Sequence, residues 1–281
     1  MRRLLLSLLL LAACSKPAPD APANPDGAFA PSAAAEEQKP PGKIDFQAAT
    51  NTGRAAMFVP APTEFQAALK ASASTLDLRA GGEASARTLL GKNKPMLALE
   101  TGTRITAVVM STGKDPKDVV LARMASAREG LSALQSPPKV VAKVDEVIAD
   151  YREGRLESGE LTASLDVLAE TIHDGLSEAD QQTATLVQAG GWVQGAHLLA
   201  KALEAAGQAG DGAQLLRQPS LVNHFQAFLR NSDPGRAEDP TVVKVLGSMD
   251  ELREIAGQDV IDEAMVRRIV VLTGGIISQF E

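Results

Sequence analysis

From Thr63 onward, apolar residues return every three or four positions. In 138–153, Val140, Val141, Val144, Val147, Ile148 and Tyr151 fall on one side of a helical spiral. In 159–174, Leu161, Leu165, Leu168 and Ile172 do the same. The pattern predicts helices over 63–79, 83–92, 95–112, 116–135, 138–153, 159–174, 178–206, 211–217, 220–230 and 240–279, the last breaking near Gly257 or Gly274. Residues 105–110 (Ile-Thr-Ala-Val-Val-Met) would pass alone for a strand, but no partner strand is evident. The expected fold class is therefore all-α: one multi-helix bundle over 63–281, long enough to bury a substantial core.

The boundaries are punctuated as helices are. Thr63 with Gln66 after Pro62 has the form of a capping box, and Ser177 with Asp180 has the form of another. Asp115-Pro116 and Asp239-Pro240 each put a capping acid before a proline at the first helical position, where the missing amide costs nothing. Gly113, Gly154, Gly175 and Gly207 are placed as stops, since glycine takes the left-handed cap conformation cheaply. Ser136-Pro137-Pro138 ends one helix and begins the next. Gly130-Leu131-Ser132 and Gly175-Leu176-Ser177 hint at a duplicated hairpin, but no fixed period recurs, so a helical-repeat scaffold stays a minor alternative.

Before Thr63 the periodicity stops. Residues 14–62 are rich in Pro, Ala and small polar side chains, a composition that cannot bury enough apolar surface to offset chain ordering. They read as a disordered tether, reaching about 150 Å if fully extended and about 40 Å as a coil. Ile44-Asp45-Phe46 and Met57-Phe58-Val59 are apolar spots within it, able to dock on the domain or to stay free. Ahead of the tether stand Met1-Arg2-Arg3, an apolar run from Leu4 to Leu11, and Leu11-Ala12-Ala13-Cys14. Basic start, apolar run and small residues are the parts of a secretory signal, here 1–13. The run is far shorter than the roughly 20 residues a spanning helix needs. With the chain's single cysteine at the cut, the segment resembles a bacterial lipoprotein signal. The resemblance implies cleavage before Cys14, diacylglycerol on its sulfur and an acylated new amino terminus, hence attachment to a membrane. Each buried acyl methylene contributes about 0.8 kcal/mol, which makes a multi-chain anchor effectively permanent. Ser15, where an aspartate would signal retention at the inner membrane, implies the outer membrane, facing the periplasm.

Charge and cysteine content narrow the chemistry. Removing Arg2 and Arg3 with the signal leaves 26 Lys and Arg against 35 Asp and Glu, a net charge of −9. Such a surface repels phosphate backbones, and no basic stripe offsets it, so nucleic acid is not an expected partner. A lone cysteine excludes intrachain disulfides, zinc sites of the CxxC type and c-type haem attachment. His173, His197 and His224 sit on separate predicted helices without metal-binding spacing, so no metal and no cofactor is expected. No GxSxG elbow, no SxxK with plausible partners and no phosphate-cradling loop is present, so no catalytic residues are assigned.

Residues 181–200 contain no charged side chain. Glutamines, threonines and a histidine make the segment too polar for a membrane span, so it reads as a helix enclosed by other helices. Ala189, Trp192, Ala196, Leu199 and Leu203 share one face, and Gly191, Gly195, Leu198 and Ala202 a second, roughly opposite. Each glycine costs about 0.8–1 kcal/mol of helix propensity relative to alanine, which close packing or a ligand against the backbone must offset. Ala189-Gly190-Gly191-Trp192-Val193-Gln194-Gly195-Ala196-His197-Leu198 resembles the A-G-G-W-x-E-G signature of uncharacterised all-helical bacterial lipoproteins. Their upstream helix is similar to Ala98-Leu99-Glu100-Thr101-Gly102-Thr103-Arg104, and the resemblance spans about residues 90–206. Gln194 stands in place of the family's acid and His197 in place of its aromatic residue. The resemblance implies the helical fold and no particular activity.

The candidate site is accordingly Trp192, Gln194 and His197, with Glu100 and Arg104 as an ion pair one turn apart. Each has an ordinary structural role as well: core or groove filler, solvated or hydrogen-bonded amide, helix-edge histidine, surface pair. The expected function is a non-enzymatic, lipid-anchored interaction or adaptor module that contacts another envelope protein. The alternative is a small-ligand carrier or enzyme with a pocket around Trp192, Gln194 and Glu100.

Overall fold

The computed structural model describes residues 60–71, 92–207, 211–231 and 239–279. They form α1 (Pro62–Ala71), α2 (Lys94–Ser111), α3 (Lys117–Ala133), α4 (Pro138–Arg152), α5 (Ser158–Ala206), α6 (Pro219–Asn231), α7 (Pro240–Ala256) and α8 (Glu263–Ser278), with a 3-10 turn at Asp211–Leu216. No strand occurs among the described residues, and 105–110 lie within α2. The chain is all-α, as the periodicity predicts. The signal, Cys14, the tether up to residue 59, its two apolar spots, residues 83–91 of the helix expected over 83–92 and the end of that expected over 63–79 lie outside the described residues.

The spine is α5, and it is bent. Helical geometry fails at Asp180, whose backbone is extended (φ −163°, ψ 98°). Two arms result, 158–179 and 181–206. The Asp180 carboxylate caps the second arm by accepting from the amides of Gln182 (3.0 Å) and Thr183 (3.3 Å) and from the Thr183 hydroxyl (2.6 Å). Lys94 at the start of α2 holds the same carboxylate at 2.7 Å. The expected box on Ser177 and the stop at Gly175 are thus corrected: the chain stays helical through both and breaks one turn later. Gly175 is needed for packing, since a β-carbon there would collide with Val140 of α4.

The second arm is enclosed. Where α2 crosses it, backbone meets backbone: a β-carbon on Gly102 would fall 2.7 Å from the Gly191 nitrogen, and one on Gly190 would fall 2.6 Å from the Leu99 carbonyl carbon. Gly195 leaves room for the Phe65 ring of α1, 2.5 Å from where its β-carbon would stand. The glycines therefore serve close helix approach, as the uncharged segment suggests. From α6, Phe225 packs its ring against Trp192, with centroids 6.3 Å apart. From α8, Thr273 meets His197. The apolar face of α8 (Val266, Ile269, Leu272, Ile276) is buried, so this terminal segment is a core helix. No helix among the described residues is long and apolar enough to cross a membrane.

Other boundaries follow the sequence with local exceptions. Asp239 caps α7 through the Thr241 amide, with Pro240 next. Gly113, Gly154 and Gly207 have positive φ just beyond α2, α4 and α5, as expected of stops. The last predicted helix breaks at Gly257, and Gly274 remains inside α8. Asp115 does not cap α3; its carboxylate turns inward to Arg123 at 2.9 Å, where both side chains are buried. Gln66 does not complete a box with Thr63. It is buried, and its amide donates to the carbonyls of Val109 (2.8 Å) and Thr112 (3.1 Å), tying α1 to the end of α2. The acid that reaches back at the start of α1 is Glu64, accepting from the Ala61 amide at 2.7 Å.

Candidate functional site

A bent helix with its arms held apart by a third element leaves space in the bend. Here that space is a cleft of about 570 Å³ between the arms of α5, closed by the start of α1 and the middle of α2. Ligand pockets commonly occupy roughly 300–1,000 Å³. The second arm contributes Ala184, Val187, Gln188, Gly191 and Trp192. The facing wall from the first arm carries Ala169, Ile172 and Leu176. Phe65 of α1 and Ile105 and Thr106 of α2 complete the apolar part.

The polar groups are unevenly placed. Asp166, Glu170 and Asp174 line the cleft from the first arm and are exposed, one turn apart in succession. Among the described residues no lysine or arginine lines the cleft, and the three carboxylates make no ion pair there. His173 lies beside them, half-buried, with Nε2 3.4 Å from the Ser177 hydroxyl and Nδ1 buried without a hydrogen-bond partner. Burial pushes its pKa below the usual histidine value, against a smaller upward pull from Asp174. Trp192 is 3% exposed, and its indole N–H is also buried without an acceptor. Among the described residues no group of three or more His, Cys, Asp or Glu side chains is placed to hold a metal ion.

Of the five residues picked from the sequence, only Trp192 borders this cleft. Glu100 is buried at 5% exposure and is paired twice, with Lys92 at 2.6 Å and Arg104 at 2.7 Å. Arg104 also donates to the Ser126 carbonyl at 3.1 Å and stands 3.8 Å from Glu129, so the pair fastens α2 to α3. Glu100 and Arg104 do not line the cleft at Trp192. Gln194 is buried at 6% exposure, not solvated. His197 clamps α5 to α8: its Nδ1 lies 2.9 Å from Thr273 Oγ1, and that hydroxyl donates its own proton to Ile269 at 2.6 Å. The hydroxyl is therefore the acceptor and the imidazole is protonated on Nδ1. Burial, then the nearby Lys201 charge, push the His197 pKa down to about 4, so the ring is neutral at pH 7.

The residues that sequence reasoning missed are Asp166, Glu170, His173 and Asp174. Their signal was present as three acids at i, i+4 and i+8 on one predicted helix. Nothing local distinguished them from a solvated face, because the opposing wall exists only once α5 bends. No protein-family model, no curated protein and no solved structure matches this chain.

Proposed function

We propose that this chain is a lipid-anchored binding protein of the bacterial envelope, held at the membrane through Cys14 and carrying a small molecule in the α5 cleft. It performs no chemistry on that molecule. The anchor and its outer-membrane, periplasm-facing placement rest on the resemblance of residues 1–14 to a lipoprotein signal. The carrier alternative takes precedence over the protein adaptor because of one observation. A cleft of about 570 Å³ with an apolar floor lies next to a rigidly packed crossing, on the one helix arm whose tryptophan has no acceptor for its N–H. A concave, mostly apolar space with a few polar groups suits a small ligand better than a flat partner surface.

The test is native mass spectrometry of the full chain extracted from its own envelope, beside Ala169→Phe, which fills the cleft from its partly exposed wall. The expected result is a small-molecule adduct on the wild-type chain that is absent from the variant. A bare mass, or a retained protein whose binding ignores Ala169→Phe, would return the adaptor to first place. For the anchor, Cys14→Ser should release the chain from the membrane fraction.

A further inference from the structure

We infer that the ligand of this cleft is a small cationic amphiphile, an amine on an apolar body, bound with the amine at the Asp166–Glu170–Asp174 rim. This rests on the reading of the cleft as a ligand site and adds the chemical class. Three features select it. The floor is apolar and aromatic, with Phe65, Ile105, Ile172, Val187 and Trp192. The rim carries three carboxylates at helical i, i+4 and i+8 positions, a row about 12 Å long. No cation of the protein neutralises that row among the described residues, and none lines the cleft. Elsewhere on this acidic chain the exposed carboxylates beside the bundle helices are often paired: Asp145 with Arg128, Glu178 with Lys139, Glu251 with Arg268. Among the described residues, the row at the cleft mouth is left to meet an incoming charge.

Anionic and neutral ligands fit less well. A carboxylate or phosphate would meet like charge at the acidic rim, and burial lowers the pKa of His173 beside it, which disfavours a positive charge on that ring. A neutral apolar molecule would fill the floor and leave the rim unanswered. A bare metal ion has the opposite fault, since the three acids lie along one helix and do not converge on a point. With an ammonium about 6 Å from a carboxylate in a high-dielectric rim, each acid contributes a factor of about two to three, so the three together give on the order of tenfold.

The experiment uses the full chain in zwitterionic lipid nanodiscs, with empty discs subtracted. Trp192 is the only tryptophan in the chain, so its fluorescence reports the cleft floor directly. Three probes of one shape are titrated, with calorimetry alongside: cyclohexylmethylamine, cyclohexylmethanol and cyclohexanecarboxylate. The expected order is amine, alcohol, carboxylate, with the amine about tenfold tighter than the alcohol and the gap narrowing as salt is raised. In Asp166→Asn/Glu170→Gln/Asp174→Asn the amine should fall to the alcohol's affinity while the alcohol is unmoved. The charge reversal Glu170→Lys should push the amine below the alcohol.

Equal binding of amine and alcohol, or amine binding that ignores the triple variant, would overturn the amine assignment and leave the cleft standing as a ligand site. Tightest binding by the carboxylate would do the same. Silence from all three probes would also overturn the assignment, and with a bare native mass it would bring down the carrier reading too.

Discussion

Two regions share the second arm of α5 and treat it in opposite ways. Along one side, α2 lies so close that Gly102 and Gly190 leave no space for a side chain between the backbones. Along the neighbouring side, the arm diverges from its own first half and opens a cleft of about 570 Å³. The contrast separates two causes that look alike in sequence. Small residues explain the crossing, and a ligand is not needed to account for them. The cleft comes from a single capped break at Asp180, held from outside by Lys94. Close packing fixes where the arm is, and the bend decides what is left beside it.

The strongest way to break this contrast is to add one methyl group at the crossing. Gly190→Ala gains about 1 kcal/mol of helix propensity. It also drives a carbon into the Leu99 peptide, which is backbone and cannot rotate aside. Overpacking of well-filled cores costs typically 1–3 kcal/mol, and a clash with backbone lies at or beyond the upper end. The net expectation is a loss of about 2–3 kcal/mol in urea unfolding, with Gly102→Ala close behind. Wild-type stability in Gly190→Ala would mean that α2 and α5 are not in contact at this point.

Acid tests the enclosed side of the same arm. His197 has its pKa lowered to about 4 against 6.5 unfolded. Its contribution to stability is complete above the unfolded value and declines as pH falls from 6.5 toward 4, because the unfolded chain takes the proton first. From about pH 7 to about pH 5 this one group removes about 2 kcal/mol, an order-of-magnitude figure. His197→Gln should flatten that part of the urea-midpoint profile. His173, at the cleft, is shifted in the same direction. His173→Gln should flatten the profile less, as befits the more open region; the reverse ranking would mean that the cleft, not the α8 contact, is the drier environment.

The bend itself comes next. Asp180→Ala removes the carboxylate that caps the second arm and answers Lys94. Loss of such a cap costs about 0.5–2 kcal/mol. Partial burial raises the Asp180 pKa, but the hydrogen bonds from Lys94 and Thr183 outweigh that and bring it from 3.8 down to about 2. The cap's contribution is therefore full at neutral pH and disappears as pH falls from 3.8 toward 2. Circular dichroism should show helix content nearly unchanged in the variant, while Trp192 fluorescence shifts as the cleft changes shape. Helix loss without a change at Trp192 would mean that Asp180 does not set the wedge.

The sequence carried the helices well and the cleft poorly, for one physical reason. Helical period, glycine stops and the Asp239-Pro240 start depend on residues within a turn or two of each other, so they are legible along the chain. Gln66 and Asp115 have the right form for caps, yet both are drawn to distant partners, the end of α2 and Arg123. Glu100 and Arg104 pair as their spacing suggests, but the neighbour that receives them is α3 and not the Trp192 helix. Trp192 was recognisable as a candidate because a lone indole in an uncharged helix is unusual. Its companions at the cleft, Asp166, Glu170 and His173, precede the bend and face Trp192 only because the chain turns at Asp180. That wall meets Trp192 only in three dimensions, which local spacing does not encode.

The smallest expected effect is also the most discriminating, because Gly191 belongs to both regions. Its β-carbon would stand 2.9 Å from Thr106 Oγ1 and 3.6 Å from the Gly102 carbonyl, and the residue also lines the cleft. A hydroxyl can give way where a peptide cannot, so the crowding cost should nearly cancel the roughly 0.8–1 kcal/mol gained in helix propensity. Gly191→Ala should therefore unfold within about 1 kcal/mol of the wild-type chain. Gly247→Ala, on an exposed stretch of α7 with nothing near, supplies the uncrowded reference and should stabilise by about 0.5–1 kcal/mol. If Gly191→Ala loses as much as Gly190→Ala, the crossing governs both positions and the cleft wall is as rigid as the interface behind it. If it gains as much as Gly247→Ala, α2 stands farther off at Thr106 than the crossing at Gly102 implies. Near-cancellation, with weaker binding at the cleft, would place the boundary between packed and open regions at this single residue.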